Sequence, residues 1–271
     1  MVRPLKLILL HIRVSVQNLA AYRLDFVVGV VMSLMRLGME FVVLWTIFDN
    51  VQDVKGWRVP HMLVLVGVFR IVAGGIRIFI VPNMRRVLEE IREGTLDFLL
   101  MRPVNAQFLA SIREFVVWRI ADVLIGSVVV AIGAVMLLGR FPLEAALTFT
   151  LVLGAAFVTV YSIWLMLATL CFWFIRIQNI EMIFWNVFEA GRFPIVIFRP
   201  AVQWALTFVV PLAFITTIPA AAIFGDPTLV PVTASLPLPL PLLAVLIAVA
   251  MLIVSNRFWK FGLKHYSGAS A

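Results

Sequence analysis

Residues 89–105 read EEIREGTLDFLLMRPVN. This is the most charged stretch of a chain that is otherwise nearly all hydrocarbon, and it lies between two long apolar segments. Glu89, Glu90, Arg92 and Glu93 complete a helical turn that begins near Arg85 and Arg86, and Gly94 stands where a left-handed stop is wanted. Thr95 is placed to cap a second short helix running through Leu100, with Asp97 in its first turn, and Pro103 ends it. The spacing predicts a stiff helical elbow over residues 84–104. Its charged side faces water, and Ile91, Leu96, Phe98, Leu99 and Leu100 form an apolar side. A bare linker would need neither two helices nor that apolar set.

Composition says what surrounds the elbow. The chain has 271 residues, 63% of them hydrophobic and 13% charged. A soluble domain of this size cannot hide so much apolar surface, so the solvent is a bilayer and the fold is an all-α integral membrane domain, taken as one unit over residues 1–271. The net charge of +8 reflects the gathering of Arg and Lys in cytoplasmic loops, not a nucleic-acid surface. Cys171 is the single cysteine, so no disulfide forms within the chain.

Hydropathy then divides the chain. Leu5, Ile8, Leu9, Ile12, Val16 and Leu19 recur at helical spacing, opposite Lys6, Arg13 and Gln17, which predicts a retained interfacial helix over residues 1–22. Six spans are expected. They fall at 24–48, 59–81 (ended by Pro82), 107–138, from the Gly139–Pro142 turn to about 175, a fifth, and 241–258. Two segments compete to be the fifth, 202–224, which hydropathy favours, and 180–198. With the second choice, residues 200–224 become short, proline-broken helices dipping partway into the membrane. Either choice leaves both termini on one side. Twelve basic residues fall in the loops of that side, against Lys55, Arg58 and Arg140 opposite, which places the termini in the cytoplasm.

Charges inside the spans need partners. Arg36 lies near the middle of span 1 and Arg70 near the middle of span 2, at about the same depth, and Glu40 is one turn from Arg36 on the same face. A charge at the bilayer centre costs roughly 2.5–3.5 kcal/mol, so these groups face inward. Either Glu40 neutralises the arginines within the bundle, or the set lines a polar path. Arg77 is expected to snorkel to the inner surface. Glu114, Arg119 and Asp122 fall at helical spacing, as one structural cluster near the start of span 3. Glu189 and Arg192 would lie inside the fifth span if it runs over 180–198, which requires a cavity or an interface there.

Catalytic motifs are missing. There is no G-x-x-x-x-G-K-[ST] phosphate loop, no H-E-x-x-H and no G-x-S-x-G, and His11, His61 and His265 are scattered. No cofactor or metal is expected on this chain, and any energy for work must come from another subunit.

The elbow, E-x-x-R-E-G-T-L-D-x-L-L-x-R-P-V, resembles the cytoplasmic coupling segment of ABC-2 type exporter permeases, whose usual form is close to E-R-x-x-G-T-L-E-x-L-x-x-T-P. The matching residues are Glu89, Arg92, Gly94, Thr95, Leu96, Asp97, Leu99 and Pro103. Arg102 before the proline and the ending HYSGASA are similar to a subgroup of paired six-span permeases described as drug or viologen exporters. The resemblance covers essentially the whole chain. It implies two separate ATPase subunits carrying ATP and Mg beneath the elbow, and a homo- or heterodimer with a second six-span permease in the inner membrane. It also implies a re-entrant outer hairpin over 200–224 before the last span, which favours 180–198 as span 5. The implied ATPase contact is Arg85, Arg86, Glu89, Glu90, Arg92, Glu93, Gly94, Thr95, Leu96 and Asp97. The candidate path is Arg36, Glu40, Arg70, Glu189 and Arg192. An ion-driven secondary transporter would need inverted repeats and broken helices bearing ion ligands, and a membrane enzyme would need a polar catalytic cluster. The sequence displays neither.

Overall fold

A computed structural model describes residues 23–139, 142–174, 179–233 and 238–266, and its regular structure is helical throughout. The proposed interfacial helix at 1–22 lies outside the described residues, as do Arg140, Phe141, Arg176, Pro237 and the ending 267–271. In chain order the helices begin with α1 (Arg23–Phe48), α2 (Val59–Gly75), α3 (Val81–Glu93), α4 (Asp97–Leu100) and α5 (Ala106–Ser111). They continue with α6 (Ile120–Leu138), α7 (Leu143–Leu170), α8 (Ile180–Glu189), α9 (Pro200–Trp204), α10 (Leu212–Ile215), α11 (Thr217–Ala222) and α12 (Leu240–Leu263). Five helices among the described residues are long and apolar enough to cross a membrane: Phe26–Phe48, Val59–Glu93, Ile120–Leu138, Leu143–Leu170 and Leu240–Leu263.

The second of these corrects the expectation that Pro82 ends span 2. α2 and α3 form one helix, joined by a wide π-helical turn over Ile76–Ile80. Proline offers no N–H to the carbonyl four residues back, which here is that of Ile78. That carbonyl instead accepts the backbone N–H of Val116 at 2.8 Å. A donor distant in sequence thus satisfies the acceptor that Pro82 leaves open, and the helix runs on.

α2 is the centre of the bundle: 14 of its 17 residues are buried, whereas almost none of α1 is. It runs antiparallel to α6 at very short range. A Cβ placed on Gly126 would stand 2.7 Å from the Gly67 carbonyl oxygen, and one on Gly133 would stand 2.8 Å from the Pro60 oxygen. Helices without a hydrophobic drive to associate gain dispersion energy by such close backbone contact, which only small residues permit. α7 and α12 form a second pair, where Gly262 meets Thr169 and Phe172, and Trp259 packs its ring 5.4 Å from that of Phe172.

Span 3 starts later than expected. Residues 112–116 are irregular, a 3-10 turn covers Val117–Arg119, and the long helix begins only at Ile120. Buried Asn83 holds the irregular strip in place. Its amide nitrogen donates to the oxygens of Phe79 (2.6 Å) and Glu114 (2.7 Å), and its amide oxygen accepts from the N–H groups of Arg113 (2.7 Å) and Glu114 (3.0 Å).

Neither candidate for span 5 is one continuous helix. α8 passes into a 3-10 turn at Ala190–Arg192 and stops at an extended Phe193. The segment 202–224 is interrupted at Val210–Pro211 and again at Thr216. From residue 180 to 197 the chain passes from one end of the bundle to the other. Glu181 accepts from Arg85 of α3 at 2.7 Å, while the Val196 oxygen accepts from Lys55 of the α1–α2 loop at 3.0 Å. Beyond this point the chain keeps to the loop end. Thr217 Oγ1 accepts from the Ile195 N–H at 3.4 Å, the Phe224 ring lies 4.5 Å from that of His61, and Trp57 Nε1 donates to the Leu229 oxygen at 3.1 Å. α10 and α11 are wholly buried.

Candidate functional site

Arg70 emerges from the centre of α2, only 5% exposed, and its guanidinium binds two other helices at once. Nε donates to Glu40 Oε2 at 2.7 Å, Nη1 to Ser33 Oγ at 3.0 Å and Nη2 to the Ser33 carbonyl oxygen at 3.0 Å, all on α1. From α6, Asp122 Oδ1 lies 3.8 Å from Nη1 and accepts the Ser33 hydroxyl. A buried charge is tolerable when its donors find acceptors and the opposite charge is adjacent; here each of the three guanidinium nitrogens donates one hydrogen bond, and Glu40 supplies the charge. Glu40 therefore serves Arg70. Arg36, which shares its helix face, instead donates Nε to the Met32 oxygen at 3.3 Å and forms no ion pair with Glu40.

Asp122 also draws in Arg77, whose Nη1 lies 4.0 Å from Oδ2 and whose guanidinium carbon stands 4.5 Å over the Trp185 ring. Arg77 is thus held between an aromatic face and a carboxylate. The expected Glu114–Arg119–Asp122 cluster does not form. Helical spacing does not apply before Ile120, and Glu114 pairs with Arg86 (2.8 Å) while Asp122 joins Arg70. Glu189 accepts from Arg192 Nη2 at 3.0 Å, and Arg192 stands 5.1 Å over the Phe69 ring.

The elbow forms, with one change. Gly94 ends α3 at φ +70°, and the Glu90 carbonyl accepts from both Thr95 (2.9 Å) and Leu96 (3.2 Å). Thr95 does not cap α4. Leu96 occupies the position before that helix, in helical conformation and without a side-chain cap, because the chain turns straight from the stop into the next turn. Arg85, Arg86, Glu89, Arg92 and Glu93 are exposed, Gly94, Thr95 and Asp97 are half-buried, and Leu96 is buried. Glu90 is turned inward. It makes a two-pronged pair with Arg113, Oε1 to Nη1 at 2.6 Å and Oε2 to Nη2 at 2.9 Å. Phe98 and Met101 project outward, 69% and 72% exposed.

Three clefts lie in series along this cluster, and each shares a residue with the next. The first, of about 410 Å³, is bounded by Arg77, Arg85, Arg86, Glu89, Glu114, Arg119, Glu181 and Trp185 beside α3. Arg119 is common to it and to a groove of about 700 Å³ along α1, lined by Val28, Gly29, Met32, Met35, Arg36 and Met39. Arg36 and Met39 in turn border a third cleft, of about 340 Å³, that reaches Glu189, Arg192 and Phe193. The predicted path residues are thereby brought together: Arg36, Glu40, Glu189 and Arg192 line the third cleft, and Arg70 lies directly behind Glu40.

Ser33, Asp122 and Arg119 belong to the site and were not picked out from sequence as path residues. The heptad spacing of Gly67 with Gly74 and of Gly126 with Gly133 is the sequence feature that pairs α2 with α6, and so carries Asp122 to Arg70. Among the described residues no group of His, Cys, Asp and Glu is arranged to hold a metal ion.

No curated protein and no solved structure matches the chain. A family model described as ABC-2 family transporter protein matches residues 34–270. With most of the chain covered and its apolar helices in place, this protein belongs to the ABC-2 transporter family, membrane components of ABC transporters that lack a nucleotide-binding domain.

Proposed function

We propose that the chain is the transmembrane permease of an ATP-driven exporter, moving an amphiphilic or lipid-like substrate out of the cytoplasm or inner leaflet. The observation that carries this reading is the series of three clefts, which leads from the elbow end of the bundle past Arg119 and Arg36 to Phe193. Two separate ATPase subunits, holding ATP and Mg, would dock on the exposed face of α3 and α4. The elbow suits that task because it is short, hydrogen-bonded through its stop and anchored underneath by the Glu90–Arg113 fork. A push on α3 is transmitted directly to Arg77 and Arg70, because all three belong to one continuous helix.

In this reading the chain crosses the inner membrane six times, with residues 180–198 as the fifth crossing and 200–224 as an outer re-entrant hairpin, and both termini are cytoplasmic. The contacts of Glu181 with Arg85 and of Val196 with Lys55, at opposite ends of the bundle, support the crossing. A second permease, of the same or a related chain, would complete the assembly. The test is co-purification with the candidate ATPase and reconstitution in nanodiscs. Stable association with amphiphile-stimulated ATP hydrolysis is expected, and an ATPase that neither binds nor responds would refute the reading.

A further inference from the structure

We propose that the groove along α1 binds an amphiphile bearing an anionic phosphate headgroup, with the headgroup held between Arg36 and Arg119 and the chains lying on Met32, Met35 and Met39. This rests on the exporter reading and gives its cargo a sign of charge. The cations and anions lining the groove, the third cleft and the small space behind them do not balance. Five arginines, at 36, 70, 77, 119 and 192, face three carboxylates, at 40, 122 and 189. The pairs account for Arg70, Arg77 and Arg192. Among the described residues Arg36 and Arg119 have no carboxylate within ion-pair distance, and both border the same groove.

A half-buried guanidinium in apolar surroundings is costly without a counter-ion. A phosphate offers several acceptor oxygens at once and suits the planar fork of arginine. The rest of the lining is hydrocarbon and thioether. Val28, Met32, Met35 and Met39 follow one helical stripe, each more than half exposed. Methionine adapts to irregular apolar partners, as a flexible acyl chain requires. A cationic cargo would meet two unneutralised like charges at the groove, and a neutral one would leave both without a partner.

The test uses the full-length chain in mild detergent, titrated with dioctanoyl phosphatidic acid, dioctanoyl phosphatidylcholine or inorganic phosphate while thermal unfolding is followed. Phosphatidic acid is expected to raise the midpoint saturably, and the other two are not. The Arg36→Gln/Arg119→Gln variant should weaken this binding about tenfold or more, since charge-assisted hydrogen bonds are lost. Its fold should survive, because neither side chain holds an ion pair. Met32→Trp, which fills the groove without touching charge, should weaken it as well. Equal binding of phosphatidylcholine, an equal response to inorganic phosphate, unchanged binding by the double variant, or no response of the wild-type chain would each overturn the proposal. Loss of ATPase association with lipid binding intact would sink the exporter reading alone. Coupled transport without charge-selective lipid binding would sink only this inference.

Discussion

Arg70 Nε and Glu40 Oε2 meet at 2.7 Å across the α1–α2 boundary, and this pair, with Ser33, attaches the most exposed long helix to the most buried one. Glu40→Gln leaves the guanidinium short of charge in a buried place, which costs about 3–5 kcal/mol where no other group compensates. Asp122 reduces that figure, because it already faces Nη1 at 3.8 Å. Thermal unfolding in detergent should show a marked loss for Glu40→Gln and almost none for Arg36→Gln. Equal loss in the two variants would mean that Glu40 serves Arg36 instead.

The α2–α6 contact leaves no room at Gly126. A side chain there would drive a Cβ to 2.7 Å from the Gly67 oxygen and 3.0 Å from the Ile71 nitrogen, both backbone atoms that cannot step aside. Gly126→Leu should therefore abolish the monodisperse folded chain in size-exclusion chromatography. Gly154→Leu, on an open face of α7 with no atom within 4 Å of the added Cβ, should behave as wild type.

At the elbow, Gly94 sits at φ +70°. A β-branched residue is strained there by about 1–2 kcal/mol. Gly94→Val should reduce ATPase association or coupled transport while membrane insertion, followed by carbonate extraction, persists. Full transport by that variant would argue against an ATPase contact at the elbow.

Arg199 separates the two fifth-span readings. It is exposed at the start of α9. In a chain carrying Cys171→Ser and Arg199→Cys, an impermeant thiol reagent should label intact cells if 200–224 is an outer hairpin. Labelling only after the cells are opened would make 202–224 the crossing and remove the hairpin.

Much of the elbow was readable from residues 89–105, because a glycine stop and a charged turn are local devices whose cause and effect lie within a few residues. Thr95 was misread because hydroxyl capping needs an extended residue before the helix, and the chain at Leu96 is already helical. Pro82 was misread for a different reason: the group that compensates for it, the Val116 N–H, lies 34 positions away in sequence. Spacing groups Asp122 with Glu114 and Arg119 only where one helix runs through all three, and none exists over 112–116. Hydropathy favours 202–224 as span 5, since that stretch carries no charge while 180–198 holds Glu181, Glu189 and Arg192, yet in the fold both are broken.

The wide turn at Ile76–Ile80 also bears on which length changes in the gene the protein can absorb. A π turn is an α-helix carrying one surplus residue. Removing Phe79 should tighten that turn to ordinary pitch and preserve the azimuth of Arg85 and Glu89. The same deletion within α3 would swing everything beyond it by about 100°. The surplus and Pro82 are coupled, however, because a proline in a regular helix collides with the carbonyl one turn back. Deleting Phe79 should be tolerated only together with Pro82→Ala, and ATPase binding by the single and combined variants is the readout. If the deletion alone binds as well as the combined variant, the coupling is absent.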